Sequence, residues 1–242
     1  MQIFGHRGAA GEAPENTIAG ARHAISRGTR YVEIDLRLSA DKQLVIVHDN
    51  STERTCGIKR QITRTTAKQL AQLDARSFGP PWPRKAQCGI PTLKQYLHST
   101  PELKRYQLEV KSDRSTDKDQ VIAQLGTLFP DRVAAKKVVI TSFDYELLAM
   151  LNERLPYLRF GAISYKTAAL STAKKLGCDY FCCYESIATE KFIRKLRQTD
   201  MHLSVWTVNN PESIKRLYAL GVDSIITDYP SMAIPLVNSL MR

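Results

Sequence analysis

The sequence predicts an α/β protein closed into a TIM (β/α)8 barrel, with a hairpin extension after the second strand and a small insertion at about residues 50–90. Three observations carry this. Eight short strand-like runs alternate with amphipathic helical stretches from one end of the chain to the other. The chain has 242 residues, close to the roughly 250 that eight β-α units occupy. One additional strand-like run follows its predecessor too closely for a parallel crossover and must return as a hairpin arm.

The strand candidates are QIFGH (2–6), YVEIDL (31–36), YQLEVK (106–111), KVVITS (137–142), RFGAIS (159–164), YFCCYE (180–185), LSVWTV (203–208) and SIITD (224–228). A helix is expected from Asn16 to Ser26, after Pro14-Glu15, and another from Asp117 to Phe129. SFDYELLAMLNERL opens with cap-forming residues, and NNPESIKRLYALG offers Asn210 as N-cap, Pro211 in the first helical position, Glu212 in the first turn and Gly221 at the end. A doubly wound open sheet is the competing architecture, but no GxGxxG follows the first strand. The extra run, KQLVIVHD, folds back on VEIDLRL. A turn about Asp41-Lys42 sets Asp35 opposite His48, within a residue of register. The segment from 50 to about 90, with GPPWP near its end, reads as the insertion, so residues 1–242 form one domain.

No apolar run approaches the ~20 residues of a membrane span, and MQIFGHRG lacks the pattern of a secretory leader. The expectation is a cytoplasmic protein without stable membrane insertion and of open oligomeric state. Five cysteines without a CxxC pair argue against a disulfide framework, and the adjacent pair Cys182 and Cys183 would face opposite sides of a strand. The net charge of +11 favours an anionic partner, yet the basic residues are scattered and not gathered with aromatics, which argues against nucleic acid.

Barrel strands are buried on both faces, so charge within them is costly unless compensated. YVEIDL and YQLEVK nevertheless alternate charged with apolar residues. Ile34, Leu36, Leu108 and Val110 suit packing against helices. Glu33, Asp35, Glu109 and Lys111 must then point inward near the strand ends. Three carboxylates converging from neighbouring strands call for a cation, and an all-oxygen site suits Mg²⁺ or Ca²⁺. An ion-pair network with Lys111 and Arg37 or Arg7 is the alternative. His6 and Arg7 end the first strand and His48 arrives from the hairpin. Two imidazoles beside such a site, with Arg7 and Lys111 as cationic partners, match phosphoryl transfer by acid/base catalysis. His23, His98 and His202 lie away from that rim and read as structural or surface residues. No GxSxG and no P-loop pattern is present.

With these residues in view, the chain resembles the glycerophosphodiester phosphodiesterase family, specifically its small cytosolic bacterial members. The likeness runs through GHRGAAGEAPENTIAG, VEIDLRLSADKQLVIVHDNSTERTCG, IPTLKQYL, LEVK, ITSFD, VWTVN and GVDSIITDYP. It implies a TIM barrel with a small insertion, and metal-dependent hydrolysis of glycerophosphodiesters, for example glycerophosphocholine, to sn-glycerol 3-phosphate and an alcohol. Glu33, Asp35 and Glu109 are implied as metal ligands, and His6 and His48 as the acid/base pair, with His6 assigned as proton acceptor and His48 as donor. Arg7 and Lys111 match phosphate-holding positions. Trp206 matches a rim aromatic that packs on glycerol, although a buried structural role explains it equally. Glu15 and Asn16 match the motif too, with helix capping as the other explanation of Asn16. Cleavage of lysophospholipids or phosphoinositides would need an apolar mouth, and no long exposed apolar loop stands out; a non-catalytic phosphodiester-binding paralogue would not keep both histidines and all three acids.

Overall fold

Eight parallel strands close on themselves because the first and last find each other: Ile3 pairs with Ile225 on one side, while Gly5 pairs with Val32 on the other. The computed structural model describes residues 1–83 and 85–241. In chain order the strands are β1 (Gln2–His6), β2 (Tyr31–Leu38), β3 (Leu44–Ile46), β4 (Arg105–Val110), β5 (Val138–Ser142), β6 (Arg159–Ser164), β7 (Tyr180–Tyr184), β8 (His202–Trp206) and β9 (Ser224–Thr227). All except β3 run parallel around the barrel, and β3 is the antiparallel arm on β2. The eight expected barrel strands are all present.

The described residues form ten helices, of which α2 and α3 lie in the insertion: α1 (Ile18–Ser26), α2 (Glu53–Cys56), α3 (Ala67–Ala71), α4 (Leu93–Ser99), α5 (Lys118–Leu128), α6 (Tyr145–Arg154), α7 (Ala169–Lys175), α8 (Glu190–Leu196), α9 (Pro211–Ala219) and α10 (Pro230–Leu240). Side chains of Asp117, Asp144, Thr189 and Asn210 accept the first free N–H groups of α5, α6, α8 and α9, as their composition dictates. Helix α1 starts later than expected, since Thr17 and not Asn16 is its cap. Outward-facing Ile34, Leu36, Leu108 and Val110 join the main core between strands and helices. Among the described residues, no helix is long and apolar enough to cross a membrane.

The hairpin register differs by one residue from the expected one. Leu38 pairs with Leu44 and Leu36 with Ile46, so Val47 and not His48 faces Asp35 and donates its N–H to the Asp35 carbonyl. The turn contains three residues, Ala40 to Lys42, with Lys42 at φ 58° and the Ser39 hydroxyl bonded to both Asp41 and the Gln43 carbonyl. An odd loop length shifts the pairing by one. Strand β3 then divides its side chains. Leu44 and Ile46 enter the main core, whereas Val45 and Val47 pack with Cys56, Ile62, Ala67, Leu70, Ala75 and Ile90 in a second, smaller cluster beneath the segment that carries α2 and α3.

Candidate active site

The charged residues of β2 and β4 gather because Asp35 and Glu109 are direct partners in the parallel ladder, and Glu33 is level with His6 on β1. Ligand oxygens of Glu33, Asp35 and Glu109 all lie within 4.8 Å of one another. Two cations face them. Lys111 pairs with Glu109 and stands 3.1 Å from Asp35 Oδ1, and Arg7 Nε is 3.2 Å from Asp35 Oδ2. The ion-pair alternative is thus partly realised, but three acids meet two bases and one carboxylate is left over. Glu33 is that carboxylate. Burial, followed by the repulsion of Asp35, pushes its pKa up to about 8. Burial also opposes ionisation of Asp35, yet Lys111 and Arg7 hold its carboxyl well below the usual range.

A divalent cation fits this donor set. Glu33 Oε1 is buried without a hydrogen-bond partner, an expensive state for a carboxylate oxygen unless a positive group meets it, and Asp35 Oδ1 beside it has only the Lys111 ammonium at 3.1 Å. All the donors are oxygens, the preference of hard cations. The three residues could therefore hold a metal ion.

Both histidines are tethered in the same way. His6 Nδ1 lies 2.6 Å from Asp228 Oδ1, and His48 Nδ1 lies 2.7 Å from Asp49 Oδ1. Each ring is thereby fixed in orientation with Nε2 left free, and His6 Nε2 stands 3.9 Å from Glu33 Oε2. Their electrostatics diverge. Burial works against charge on His6, but the hydrogen bond to Asp228 and the field of Glu33 raise it above the ordinary imidazole range. Burial together with Arg7 and Lys111 brings His48 below that range, despite Asp35 and Asp49.

Two supporting groups, Asp228 and Arg54, escaped the reading of the sequence. Asp228 follows β9 in SIITDYP and is anchored by Asn209, whose Nδ2 donates to Asp228 Oδ2 at 2.6 Å. Arg54, on α2, donates to Asp49 through Nε at 2.6 Å and to both oxygens of Glu15 at 2.7 and 2.8 Å. Glu15 in turn receives Arg7 Nη1 at 2.9 Å. A continuous chain of ion pairs therefore runs from Arg7 through Glu15 and Arg54 to Asp49, which ends it in the hydrogen bond to His48. Asn16, at φ 56° and buried, donates to Asp35 Oδ2 at 2.7 Å, so it holds an acid of the cluster. Gly5 and Gly8, which flank His6 and Arg7, mark a close approach of backbone. The closeness is internal: a Cβ on Gly5 would meet the Gly8 carbonyl oxygen at 1.9 Å, and Gly8 has φ 93°.

Trp206 ends β8 and caps the barrel interior, its Nε1 donating to the Cys182 carbonyl at 3.2 Å. It is joined by Phe143, Tyr165 and Tyr184, which follow or end β5, β6 and β7 and are all exposed. The mouth therefore has an apolar side, where none had stood out in the sequence. Cys182 faces the interior beneath Trp206 and Cys183 faces the helices, on opposite sides as expected. His23 bonds Glu12, and His202, at the start of β8, bonds Ser224, neither near the acids.

These features have counterparts in known proteins. The chain is 28% identical to a glycerophosphodiester phosphodiesterase of Caldanaerobacter subterraneus over 98% of its own length and 97% of the relative's. A glycerophosphodiester phosphodiesterase of Bacillus subtilis is likewise 28% identical, with 94% of this chain and 83% of the relative covered. Among solved structures, an Oleispira antarctica phosphodiesterase in complex with the product sn-glycerol-3-phosphate superposes with a TM-score of 0.85 at 26% identity, covering 98% of this chain and 97% of that one. A model of the Glycerophosphoryl diester phosphodiesterase family matches residues 6–232, nearly the whole barrel. On that match the chain belongs to the glycerophosphoryl diester phosphodiesterase family, a family of phosphoric diester hydrolases.

Proposed function

We propose that the chain hydrolyses glycerophosphodiesters such as glycerophosphocholine or glycerophosphoethanolamine to sn-glycerol 3-phosphate and an alcohol, with Mg²⁺ or Ca²⁺ held by Glu33, Asp35 and Glu109. The observation that carries this reading is a pair of imidazoles, each anchored through Nδ1 to its own carboxylate, beside three acids that two bases leave under-compensated. The Oleispira relative, which holds sn-glycerol-3-phosphate, supports the same chemistry.

When bound, the cation supplies Lewis-acid stabilisation of phosphoryl charge and lowers the pKa of a hydroxyl that it coordinates. Arg7 and Lys111 add positive charge for the non-bridging oxygens. His48, held neutral, accepts through Nε2 the proton of the attacking hydroxyl. The bond from phosphorus to the alcohol oxygen breaks, and His6, held charged by Asp228, returns a proton to that oxygen. This reverses the donor and acceptor roles expected from the sequence, because the two carboxylate tethers act in different fields. Attack by a glycerol hydroxyl yields a cyclic phosphate, which water opens with the imidazoles exchanging roles. Trp206 packs on the glycerol side of the substrate. Residues 1–242 act as one domain, since the cluster beneath the insertion shares β3 with the barrel. Five buried cysteines, scattered along the chain without a CxxC pair, fit a reducing compartment, and we place the protein in the cytoplasm.

Release of glycerol 3-phosphate from a panel of glycerophosphodiesters, with Mg²⁺, Ca²⁺ or chelator, tests the reading. His6→Ala and His48→Ala should each lower kcat by about 10² to 10⁴ with the fold retained. Full activity in both variants, or in chelated enzyme, would overturn it.

A further inference from the structure

The barrel mouth is divided by chemistry, and the division follows strand parity. Thr141 pairs with Glu109, while Ile163 and Cys182 line the interior under Trp206. Gln107 links Cys182 and Ser204 across that interior. Two residues further along β5, β6, β7 and β8, hence on the same inward side, stand Phe143, Tyr165, Tyr184 and Trp206. Corresponding positions on β1, β2 and β4 carry His6, Glu33, Asp35, Glu109 and Lys111. One half of the rim is ionic and the other is four aromatic rings.

The rings form a continuous wall. Phe143 stacks on Tyr165 at a centroid distance of 5.4 Å, and Trp206 lies 5.8, 5.1 and 5.3 Å from Phe143, Tyr165 and Tyr184. Core packing does not require it, because Phe143, Tyr165 and Tyr184 remain 42%, 57% and 40% exposed. A contiguous exposed aromatic surface beside a reactive centre marks a ligand contact.

We propose that Phe143, Tyr165 and Tyr184, the exposed rings beyond the Trp206 that packs on glycerol, form the subsite for the departing alcohol, and that this subsite selects an alcohol bearing a quaternary ammonium group over one bearing a primary ammonium. The proposal rests on the phosphodiesterase reading above and adds the choice of head group. A phosphodiester has two arms, and the acids, bases and imidazoles of the ionic half engage the phosphate and one of them. The second arm then meets the rings. A trimethylammonium group has no N–H to satisfy and presents a methyl surface that aromatic faces attract through their quadrupole. A primary ammonium is a compact, strongly hydrated cation with three donors. The four inward positions at this level offer rings and no carboxylate, so its hydration would go unreplaced.

The test compares kcat/KM for glycerophosphocholine, glycerophosphoethanolamine and the uncharged 3,3-dimethylbutyl diester, which keeps the shape of choline without its charge. Wild-type enzyme should favour the choline diester over each of the others by about 5- to 20-fold. Tyr165→Leu and Tyr184→Leu retain apolar surface at exposed positions but remove a ring face, and each should shift the choline-to-ethanolamine ratio about fivefold toward one. Equal turnover of the choline and ethanolamine diesters by wild type would overturn the proposal. So would a dimethylbutyl diester as good as choline, or a leucine variant whose ratio stays at the wild-type value. Failure of the underlying reading has a separate signature, the absence of glycerol 3-phosphate release from any of the three diesters.

Discussion

Substituting Glu33 by glutamine should stabilise the metal-free protein, and increasingly so as the pH rises. In the absence of an ion the Glu33 carboxyl has a pKa of about 8 in the fold, against an ordinary 4.5. Below the ordinary value both folded and unfolded chains carry the proton and there is no penalty. Between the two values the unfolded chain releases the proton while the fold retains it, so stability falls as pH rises, and above about 8 the loss is complete. At 1.36 kcal/mol per tenfold difference in proton affinity the full effect is about 5 kcal/mol. That figure is an upper bound, since Asp35 and Glu109 share the same space and one proton serves the cluster. For a chain of this size about 5 kcal/mol corresponds to roughly 10 to 20 °C in Tm, and half of it to roughly 5 to 10 °C. Thermal unfolding followed by circular dichroism in chelator, between about pH 5 and about pH 9, reads the difference directly. Glu33→Gln should lose far less Tm over that range than wild type. Saturating Mg²⁺ or Ca²⁺ at the alkaline end should raise the wild-type Tm more than that of the variant. Parallel curves for the two proteins in chelator would refute the idea that Glu33 is the uncompensated acid of the cluster.

Asp228→Asn leaves the shape of the His6 tether but removes its charge, and kcat should fall by about 10² to 10⁴ with little change in KM. Burial then acts on His6 with less opposition, so the alkaline limb of the pH–rate profile should move to lower pH if His6 is the proton donor. An unmoved limb would return the donor role to His48. Arg54→Leu leaves buried Glu15 with Arg7 alone and Asp49 with His48 alone, and should cost about 2 to 4 kcal/mol in denaturant unfolding as well as turnover. Asn16→Ala removes a hydrogen bond to Asp35 inside the cluster and should weaken the apparent affinity for the activating cation about 10- to 100-fold, measured by metal titration of activity.

The barrel was legible because short apolar-rich strands alternate with helices along the whole chain, and the charged Glu33, Asp35, Glu109 and Lys111 interrupt two of those strands at a cost that has few explanations. The family motifs extended that reading to His6 and His48. Other features lie beyond local pattern. Lys42 takes a left-handed conformation without glycine or asparagine to announce it, so the loop gained a residue and the hairpin register moved. Asn16 resembles a helix cap in sequence and is drawn instead to an acid nineteen positions away. Asp228 meets His6 across 222 positions, a contact that only closure of the barrel creates. The four rings of the rim are each an unremarkable aromatic at a strand end, and they become a surface once the strands are set side by side.

Strand β3 and the Val47 that follows it, with Leu44 and Ile46 on the main core and Val45 and Val47 on the cluster beneath the insertion, make the reactive imidazole hostage to that outlying assembly. His48 leaves that strand directly, and its tether runs through Asp49 and Arg54 into the outlying segment. Fluctuations that loosen the eight buried residues of this cluster would thus silence turnover while the surrounding staves stay closed. On heating, inactivation should precede the loss of helical ellipticity, and the interval between the two would measure how tightly the appended segment is clasped to the barrel.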